Sequence, residues 1–308
     1  MKKVLIATDK PFASKAVKAI REVVESAGHQ LVLLEKYTSQ AELIAAVADV
    51  DAMIIRSDIA DRAVIEAAKN LKIIVRAGAG YDNIDLNAAT EKGVVAMNTP
   101  GQNSNAVAEL AIGMMIYMAR NKFDGKSGTE LREKSLGIHA FGNVGKLVGS
   151  IAKGIGMDVF AFDPFVSKEE IAKAGVKVME SEKELYKTCQ YVSLNIPATA
   201  QTRKSIGFEL LSLMPENAVL VNTARKEVID EEGLLKVFEV RPDFKYISDI
   251  APDCQAEIET KYSGRFFFTP KKMGAQTSEA NINAGIAAAR QIVNYFEKGD
   301  TTFQVNKK

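Results

Sequence analysis

Residues 136–163 constrain the fold of this chain more than any other segment. They read as a short apolar strand, a turn of small residues (AFGNVG, 140–145), an apolar helix pattern and a second strand that ends in Asp163. This order is the βαβ unit that binds dinucleotides, although Ala140 stands where the usual fingerprint has its first glycine. The alternative is an ordinary tight turn between a strand and a helix. The acid at the end of the second strand favours the dinucleotide.

Each position of this unit has an expected role. Gly142 lets the backbone approach a pyrophosphate, and Gly145 lets the helix pack closely on the strand. Asn143 and Val144 begin the helix, whose unpaired N–H groups face the phosphates. Asp163 accepts hydrogen bonds from the adenosine ribose, which favours NAD over its 2′-phosphorylated form.

The bulk composition narrows the possible functions. The chain has 308 residues, enough for two domains, and a formal net charge of +1, which argues against a nucleic-acid or acidic-membrane partner. No apolar run approaches the ~20 residues that span a bilayer, and the basic start is too short for a signal peptide. Cys189 and Cys254 have no metal-ligand spacing, so we expect no metal and a cytoplasmic location.

Strand and helix patterns alternate along the chain. Strands are predicted at 4–7, 31–34, 52–55, 73–76 and 94–97, with helices at 15–26, 40–48 and 61–69. A long apolar helix is predicted at 105–121, followed after the βαβ unit by strands at 191–196, 218–222, 246–249 and 266–269 and a helix at 278–297. Such alternation is typical of α/β proteins with parallel sheets.

The pattern predicts two doubly wound, Rossmann-like domains with parallel sheets and a cleft between them. Residues 1–98 together with 281–308 are predicted to form a flavodoxin-like, substrate-binding domain. Residues 99–280 are predicted to form an NAD-binding Rossmann domain.

Four further segments resemble the D-2-hydroxyacid dehydrogenases. Residues 75–85 (VRAGAGYDNID) and 98–110 (NTPGQNSNAVAEL) resemble substrate-loop motifs of that family. Residues 193–197 (SLNIP) resemble its cofactor-side loop, and residues 221–225 (VNTAR) resemble the strand that delivers its catalytic arginine. The resemblance covers essentially the whole chain. It implies NAD-dependent hydride transfer from a small D-2-hydroxy acid, in a homodimer.

The resemblance also assigns site residues. It gives Arg225 the task of clamping the substrate carboxylate, for which a planar guanidinium is suited. It places the cofactor, beyond the glycine turn, against Pro197, Thr202, Thr223, Ala224 and Asp249. It places the substrate against Arg56, Ser57, Ala77, Gly78, Ala79, Gly80 and Asn103. The cation and hydroxyl at Arg56 and Ser57 favour a phosphate on the substrate, as in the short members that oxidise D-3-phosphoglycerate for serine biosynthesis.

The segment that would carry the family's catalytic histidine departs from the pattern. After Thr269 and Pro270 the chain reads KKMGAQT, with one residue inserted. Counting forward puts Lys271 in the histidine's place, and counting back puts Lys272 there. His29 and His139, the only histidines, lie too far away along the predicted elements to substitute.

One of the two lysines is therefore expected to be the acid/base, as in a short subgroup of the family that resembles this chain. An unperturbed lysine has a pKa of ~10.4, which nearby positive charges and burial lower. Arg225 and Lys226, which replaces the family's glycine, are expected to add such charge. The family's glutamate is also missing, and Asp253 is the nearest acid. The alternative for the lysine pair is a solvated turn.

Two of these residues, and the activity itself, allow a second interpretation. Arg56 could pair with Asp58 or Asp61 rather than with a phosphate, and Asp249 could cap a loop rather than contact the nicotinamide. The chain could be a different member of the family, such as a glyoxylate or hydroxypyruvate reductase, or an NAD-binding protein without enzymatic activity. Because the sequence ends soon after its last helix, we expect no additional domain through which serine inhibits.

Overall fold

The structure is a computed structural model that describes residues 1–307. The chain divides into two compact units. The split unit consists of Met1–Asn103 and the chain from Thr277 onward, and the central unit consists of Ser104–Gln276. No helix within residues 1–307 has the length and apolar character needed to cross a membrane.

The split unit contains one parallel sheet. Its strands are β1 (Lys3–Thr8), β2 (Gln30–Glu35), β3 (Ala52–Ile55), β4 (Ile73–Arg76) and β5 (Val95–Asn98), in the order β2-β1-β3-β4-β5. Its helices, numbered along the whole chain, are α1 (Ser14–Ser26), α2 (Gln40–Ala46), α3 (Arg62–Ala67), α4 (Leu86–Glu91) and α12 (Ser278–Lys298). This is the flavodoxin-like strand order, in which ligands bind beyond the carboxyl ends of the strands.

Helices cover both faces of this sheet. Val4 and Ile6 of β1 face the side of α1 and α12, and Leu5 and Ala7 face the side of α2 and α3. All four side chains are fully buried. Burial on both faces explains why the strands read as continuous apolar runs in the sequence.

The chain after α12 returns to the edge of the sheet. Val305 donates its N–H to Ala96 O (2.9 Å), and Ala96 N donates to the buried Asn306 Oδ1 (3.0 Å). Asn306 Nδ2 donates to Val94 O (2.9 Å) and to Thr90 Oγ1 (3.1 Å). The tail thereby pairs the backbone of an otherwise open edge strand.

The central unit contains a parallel sheet of seven strands. They are β6 (Ser135–His139), β7 (Asp158–Phe162), β8 (Lys177–Val178), β9 (Tyr191–Leu194), β10 (Val219–Asn222), β11 (Lys245–Ser248) and β12 (Phe266–Phe268). Their order, β8-β7-β6-β9-β10-β11-β12, is the Rossmann order with one further strand. The helices are α5 (Ser104–Ala119), α6 (Asn143–Gly154), α7 (Lys168–Lys173), α8 (Glu182–Thr188), α9 (Phe208–Leu211), α10 (Glu231–Val240) and α11 (Gln255–Lys261).

Two apolar layers fill this unit. One contains Met115 of α5 and Val148 of α6 packed on the sheet. The other contains Tyr186 of α8 and Phe238 of α10. Ala152 of α6 and Gly149, where a Cβ would lie 2.9 Å from Ile138 Cδ1, keep α6 close to β6.

The predicted fold class is confirmed, with two doubly wound parallel sheets. The predicted strands all occur, and their ends shift by two residues or fewer. The helix predicted at 105–121 ends at Ala119 because Asn121, Lys122 and Phe123 all have positive φ. The helices α4 and α7 to α11 had no individual prediction.

Candidate active site

The turn between β6 and α6 brings two backbone segments into close approach. A Cβ on Gly145 would lie 2.3 Å from Ala140 O and 2.9 Å from Ile138 Cγ2, so only glycine fits. Ala140 has a φ of +76°, in the left-handed region that glycine adopts most easily. The first position of the fingerprint therefore keeps glycine's backbone conformation while carrying alanine's side chain.

Gly142 has a different environment. It is the N-cap of α6, and no atom lies within 4 Å of the place where its Cβ would be. The N–H groups of the first turn, at Asn143 and Val144, have no acceptor within a helix. Open space in front of a helix N-terminus of this length suits a pyrophosphate.

Asp163 follows β7 and holds the turn. Its Oδ2 accepts the N–H of Phe141 (2.7 Å), and its Oδ1 accepts the N–H of Phe165 (2.8 Å). A carboxylate can accept about four hydrogen bonds, so this half-buried group keeps capacity for ribose hydroxyls. The open Gly142, the helix N-terminus and Asp163 together fit a dinucleotide whose adenosine ribose is unmodified.

The histidines lie outside this chemistry. His139 ends β6 in the core, where burial lowers its pKa to about 4, and its Nδ1 lies 3.2 Å from the hydroxyl of Tyr186. His29 lies between α1 and β2 with its ring edge-on to Phe296, at 5.7 Å between centroids. Neither imidazole is placed to exchange a proton with a ligand.

The loop after β9 is closed by two threonines. Thr202 Oγ1 donates to Pro197 O (2.5 Å) and accepts the N–H of Thr199 (2.7 Å). On the neighbouring strand β10, Asn222 pairs with Leu194. Thr223, the residue after Asn222, therefore lies beside the start of this loop. The buried Thr223 hydroxyl has no hydrogen-bond partner within residues 1–307, which leaves it a donor for a ligand.

Arg225 stands on a turn that Asn222 organises. Asn222, the last residue of β10, is 2 % exposed. Its Oδ1 accepts the N–H of Ala224 (3.0 Å), and its Nδ2 donates to Arg225 O (3.0 Å) and to the hydroxyl of Tyr246 (3.3 Å). The guanidinium of Arg225 is half-buried and donates to Ala224 O (3.0 Å), which leaves most of its five donors for an anion.

Lys226 does not act as the expected extra positive charge. Its Nζ lies 2.5 Å from Asp253 Oδ1, and this ion pair raises the pKa of Lys226. The backbone N–H groups of Asp253 and Cys254 in turn donate to the carboxylate of Glu231, each at 2.8 Å. The expectation that Lys226 helps to lower a neighbouring pKa is therefore wrong, because Asp253 balances its charge. Asp253, the acid nearest to the position of the missing family glutamate, is therefore already paired with Lys226.

Asp249 anchors the loop that carries the two lysines. It follows β11 and is 2 % exposed. Its Oδ1 accepts from Met273 N (2.7 Å) and Thr269 Oγ1 (3.0 Å), and its Oδ2 accepts from Gly274 N (2.8 Å). The loop is therefore fixed at both ends, and Asp249 acts as the loop cap that the sequence left open as one of its two roles.

Lys271 and Lys272 are exposed between these anchors. They line a pocket of about 340 Å³ together with Ile250, Ala251 and Phe268. Arg225, Asp249 and the lysines follow β10, β11 and β12, which are adjacent and parallel. All of them therefore stand at the carboxyl edge of one sheet, the edge at which ligands of this fold bind.

Arg56 follows β3 at the same type of edge in the split unit. Its guanidinium donates to Lys10 O (3.0 Å) and Asn281 Oδ1 (2.6 Å) and lies over the ring of Phe12. Neither Asp58 nor Asp61 forms an ion pair with it among the described residues: Asp61 caps α3, and Asp58 accepts from backbone N–H groups and from Tyr37. Burial lowers the pKa of Arg56, which stays charged.

The substrate-loop motif follows β4. Gly78 has a φ of +153°, which residues with a Cβ rarely adopt, and the guanidinium of Arg76 lies directly against it. Arg76 Nε donates to Arg56 O (3.0 Å), which places a second cationic residue beside the first. Ala77 is buried, Ala79 and Ser57 are exposed, and Gly80 and Asn103 are half-buried.

The roles of Asn222 and Arg76 were not predicted from the sequence. Both residues lie inside motifs that resemble the family, each at the last position of a strand, but their importance depends on contacts that only the fold shows. A polar residue at the end of an apolar strand is the pattern that could have identified them. Among residues 1–307 no group of three His, Cys, Asp or Glu side chains could hold a metal ion.

Comparison with known proteins gives consistent matches. The family model described as "D-isomer specific 2-hydroxyacid dehydrogenase, catalytic domain" matches residues 4–306. A crystal structure of NAD⁺-bound 3-phosphoglycerate dehydrogenase from Entamoeba histolytica is 48% identical, covers 99% of each chain and has a TM-score of 0.88.

Curated relatives include two different activities. A D-3-phosphoglycerate dehydrogenase of Methanocaldococcus jannaschii is 37% identical over 95% of this chain and 57% of its own length. A hydroxypyruvate reductase of Thermotoga maritima is 34% identical over 85% of this chain and 90% of its own length. The chain thus spans about half the length of the curated D-3-phosphoglycerate dehydrogenases it matches.

The two glycines of the turn should respond differently to alanine. Gly145→Ala forces a Cβ into the Ala140 carbonyl and should cost about 1–3 kcal/mol of stability or more. Gly142→Ala meets no atom of a non-adjacent residue and should cost less stability, about 1 kcal/mol or less for alanine at an N-cap. Its Cβ would enter the space expected for the dinucleotide and should weaken binding by about tenfold or more. Thermal unfolding and dinucleotide titration measure both effects. Equal loss of stability in the two variants would contradict this assignment.

Proposed function

The chain belongs to the family of D-isomer specific 2-hydroxyacid dehydrogenases, and on that premise we propose that it oxidises D-3-phosphoglycerate to 3-phosphohydroxypyruvate with NAD. The observation that carries the proposal is the 48% identity, over 99% of both chains, to an NAD⁺-bound 3-phosphoglycerate dehydrogenase. This reaction supplies serine biosynthesis.

We propose that NAD binds along the carboxyl edge of the central sheet and supplies the hydride acceptor. The first turn of α6, from Gly142 to Gly145, donates to its pyrophosphate, and Asp163 accepts from its adenosine ribose. Further contacts are proposed for Pro197, Thr202, Thr223, Ala224 and Asp249. The unpartnered hydroxyl of Thr223 and the open space at Gly142 support this placement.

The remaining chemistry falls to side chains of this chain. Arg225 is proposed to bind the substrate carboxylate and to polarise the oxygen on C2, since its guanidinium keeps free donors. In the loop of residues 77–80, the backbone N–H groups of Ala79 and Gly80, which have no acceptor within residues 1–307, are proposed to bind the other carboxylate oxygen. Arg56, with Ser57 and Asn103, is proposed for the phosphate, and Arg76 beside Arg56 adds positive charge there.

One of Lys271 and Lys272 is proposed to exchange the hydroxyl proton. In oxidation the neutral amine takes the proton from the C2 hydroxyl, and in reduction of the 2-oxo acid the ammonium returns it. The placement after β12, beside the strands that deliver Asp249 and Arg225, supports this role.

A homodimer is the proposed assembly. α5 is apolar on nearly all sides, as are helices that are covered on every face. Yet Ile116 is 38 % exposed, and Phe123, just beyond the helix, is 64 % exposed. A second copy of the chain would cover this surface.

The alternative function is reduction of a non-phosphorylated 2-oxo acid. The hydroxypyruvate reductase of Thermotoga maritima favours it, because the chain covers 90% of that protein but only about half of the matched D-3-phosphoglycerate dehydrogenases. An NAD-binding protein without activity is disfavoured by the retained Arg225 and substrate loop.

A panel of 2-oxo acids tests the proposal. At limiting substrate, NADH oxidation should be fastest with 3-phosphohydroxypyruvate, because its phosphate can interact with Arg56 and Arg76. The kcat/KM for hydroxypyruvate, which lacks only the phosphate, should be lower by about tenfold or more. Equal or higher kcat/KM for hydroxypyruvate or glyoxylate would select the alternative function. NAD binding without turnover of any 2-oxo acid would select the non-enzyme.

Cofactor choice tests Asp163. A 2′-phosphate would meet its carboxylate at close range, so the KM for NADP should exceed that for NAD by about 100-fold or more. Asp163→Asn removes the charge but keeps an acceptor for Phe141 N–H, so it should narrow this ratio without unfolding the turn. Equal Michaelis constants in the wild-type chain would refute the assignment.

The two lysines test the acid/base. Replacing the active one by Met should leave NAD binding intact and cut turnover by ~10²–10⁴-fold, the usual contribution of a positioned acid or base. The other lysine, replaced in the same way, is the matched control and should do much less. Because a lysine must lose its proton before it can act as a base, oxidation should continue to rise with pH beyond the range of a histidine. Near-wild-type turnover in both variants would rule out the lysine mechanism.

A further inference from the structure

Asn98, the last residue of β5, contacts the substrate loop directly. Its Nδ2 donates to Ala79 O at 2.6 Å, and the next residue, Thr99, donates its N–H to Gly78 O at 2.9 Å. Asn98 is 9 % exposed. Two successive carbonyl groups of the loop therefore point toward the end of β5.

The opposite side of these peptides follows from peptide geometry. In a trans peptide the C=O of one residue and the N–H of the next point in opposite directions. Since the carbonyls of Gly78 and Ala79 are turned toward Asn98 and Thr99, the N–H groups of Ala79 and Gly80 are turned away from them. Two successive N–H groups with a common direction form a concave anion site.

Both N–H groups are unused by the protein. Neither the N–H of Ala79 nor that of Gly80 donates to an acceptor within residues 1–307. Ala79 is exposed, and Gly80 is half-buried, so a ligand can reach them. The backbone before them is fixed, because the Gly78 N–H donates to Arg76 O (2.9 Å) and Gly78 itself packs against the guanidinium of Arg76.

The backbone of Asn98 is held by α12 and the chain that follows it. Gln291 of α12 donates its Nε2 to Asn98 O at 3.0 Å. The tail beyond α12 pairs with Ala96, two residues earlier on β5. These hydrogen bonds fix the backbone of Asn98, so its side-chain amide can orient the loop.

We propose that Asn98 is a positioning residue that orients the peptide between Ala79 and Gly80, so that its N–H binds the substrate carboxylate beside that of Ala79. Without the Nδ2 donor, the carbonyl of Ala79 can turn and the N–H of Gly80 turns with it. This inference rests on the proposed function and specifies which part of the loop makes the anion site.

The test compares two buried asparagines at the edge strand β5: Asn98, its last residue, and Asn306, which hydrogen-bonds to its backbone. Asn98→Asp keeps the shape but sets a carboxylate oxygen against Ala79 O, and Asn98→Leu removes the donor without adding charge. Asn306→Asp is the matched control, because Asn306 is 8 % exposed and also donates to a backbone carbonyl, that of Val94, away from the loop. The probes are oxalate, which carries carboxylates but no phosphate, and glycerol 3-phosphate, which carries a phosphate but no carboxylate.

Both Asn98 variants should raise the inhibition constant of oxalate and the KM of the 2-hydroxy acid by about 10- to 100-fold. The inhibition constant of glycerol 3-phosphate and the dissociation constant of NAD should stay within about twofold, and the melting temperature should fall no further than in Asn306→Asp. A merely structural role would shift both inhibitors alike and would appear equally in the control.

An active wild-type chain whose Asn98 variants keep their oxalate affinity overturns the inference and leaves the proposed function standing. The same holds if Asn306→Asp weakens oxalate as much as Asn98→Asp does. A wild-type chain that turns over no 2-hydroxy or 2-oxo acid and binds no oxalate overturns the proposed function, and this inference with it.

Discussion

Buried polar side chains at the ends of strands hold the loops on which the candidate site depends. Asn98, Asn222 and Asp249 are each 9 % exposed or less, and each hydrogen-bonds to the backbone of a loop that follows a parallel strand. A buried amide or carboxylate left without partners costs about 1–3 kcal/mol or more, so the loop geometry and the side chain stabilise each other. The apolar sheets supply the rigid edge, and these three residues define where its functional groups point.

The turn between β6 and α6 is likewise held by a polar side chain at the end of a strand, Asp163. Ala140 carries a left-handed backbone, which costs roughly 1–2 kcal/mol for a residue with a Cβ. Its N–H donates to Phe162 O (2.9 Å), and the next N–H, of Phe141, donates to Asp163 (2.7 Å). The carboxylate expected at the ribose therefore also holds the turn in the conformation that glycine would adopt without help. Within this turn, glycine is indispensable only at Gly145, where a Cβ would meet the carbonyl of Ala140.

The sequence predicted the architecture well because the strands are apolar runs and the fingerprint turn is a local pattern. Residues 52–55 and 73–76 were predicted with the bounds that the structure shows. The pairing of Lys226 with Asp253, 27 positions apart, was missed, since no local pattern encodes which charges meet in space. The same is true of Asp249, whose three partners lie 20 to 25 positions further along the chain. Local motifs reveal which groups a site contains, and non-local hydrogen bonds decide how they are oriented.

The loop that carries Lys271 and Lys272 is an example of such orientation by non-local hydrogen bonds. Asp249 fixes Thr269 at one end and Met273 and Gly274 at the other. The residue that the sequence pattern predicts to be inserted would therefore have to be accommodated between these anchors. An inserted residue is expected to displace the backbone at residues 270–272 from the family's course, and a short, rigid imidazole attached to it would be displaced equally. A lysine carries its ammonium on a four-carbon stem with freely rotating bonds, which can compensate for such a shift. The insertion and the replacement of histidine by lysine are therefore expected to depend on each other, with Asp249 as the fixed point of both.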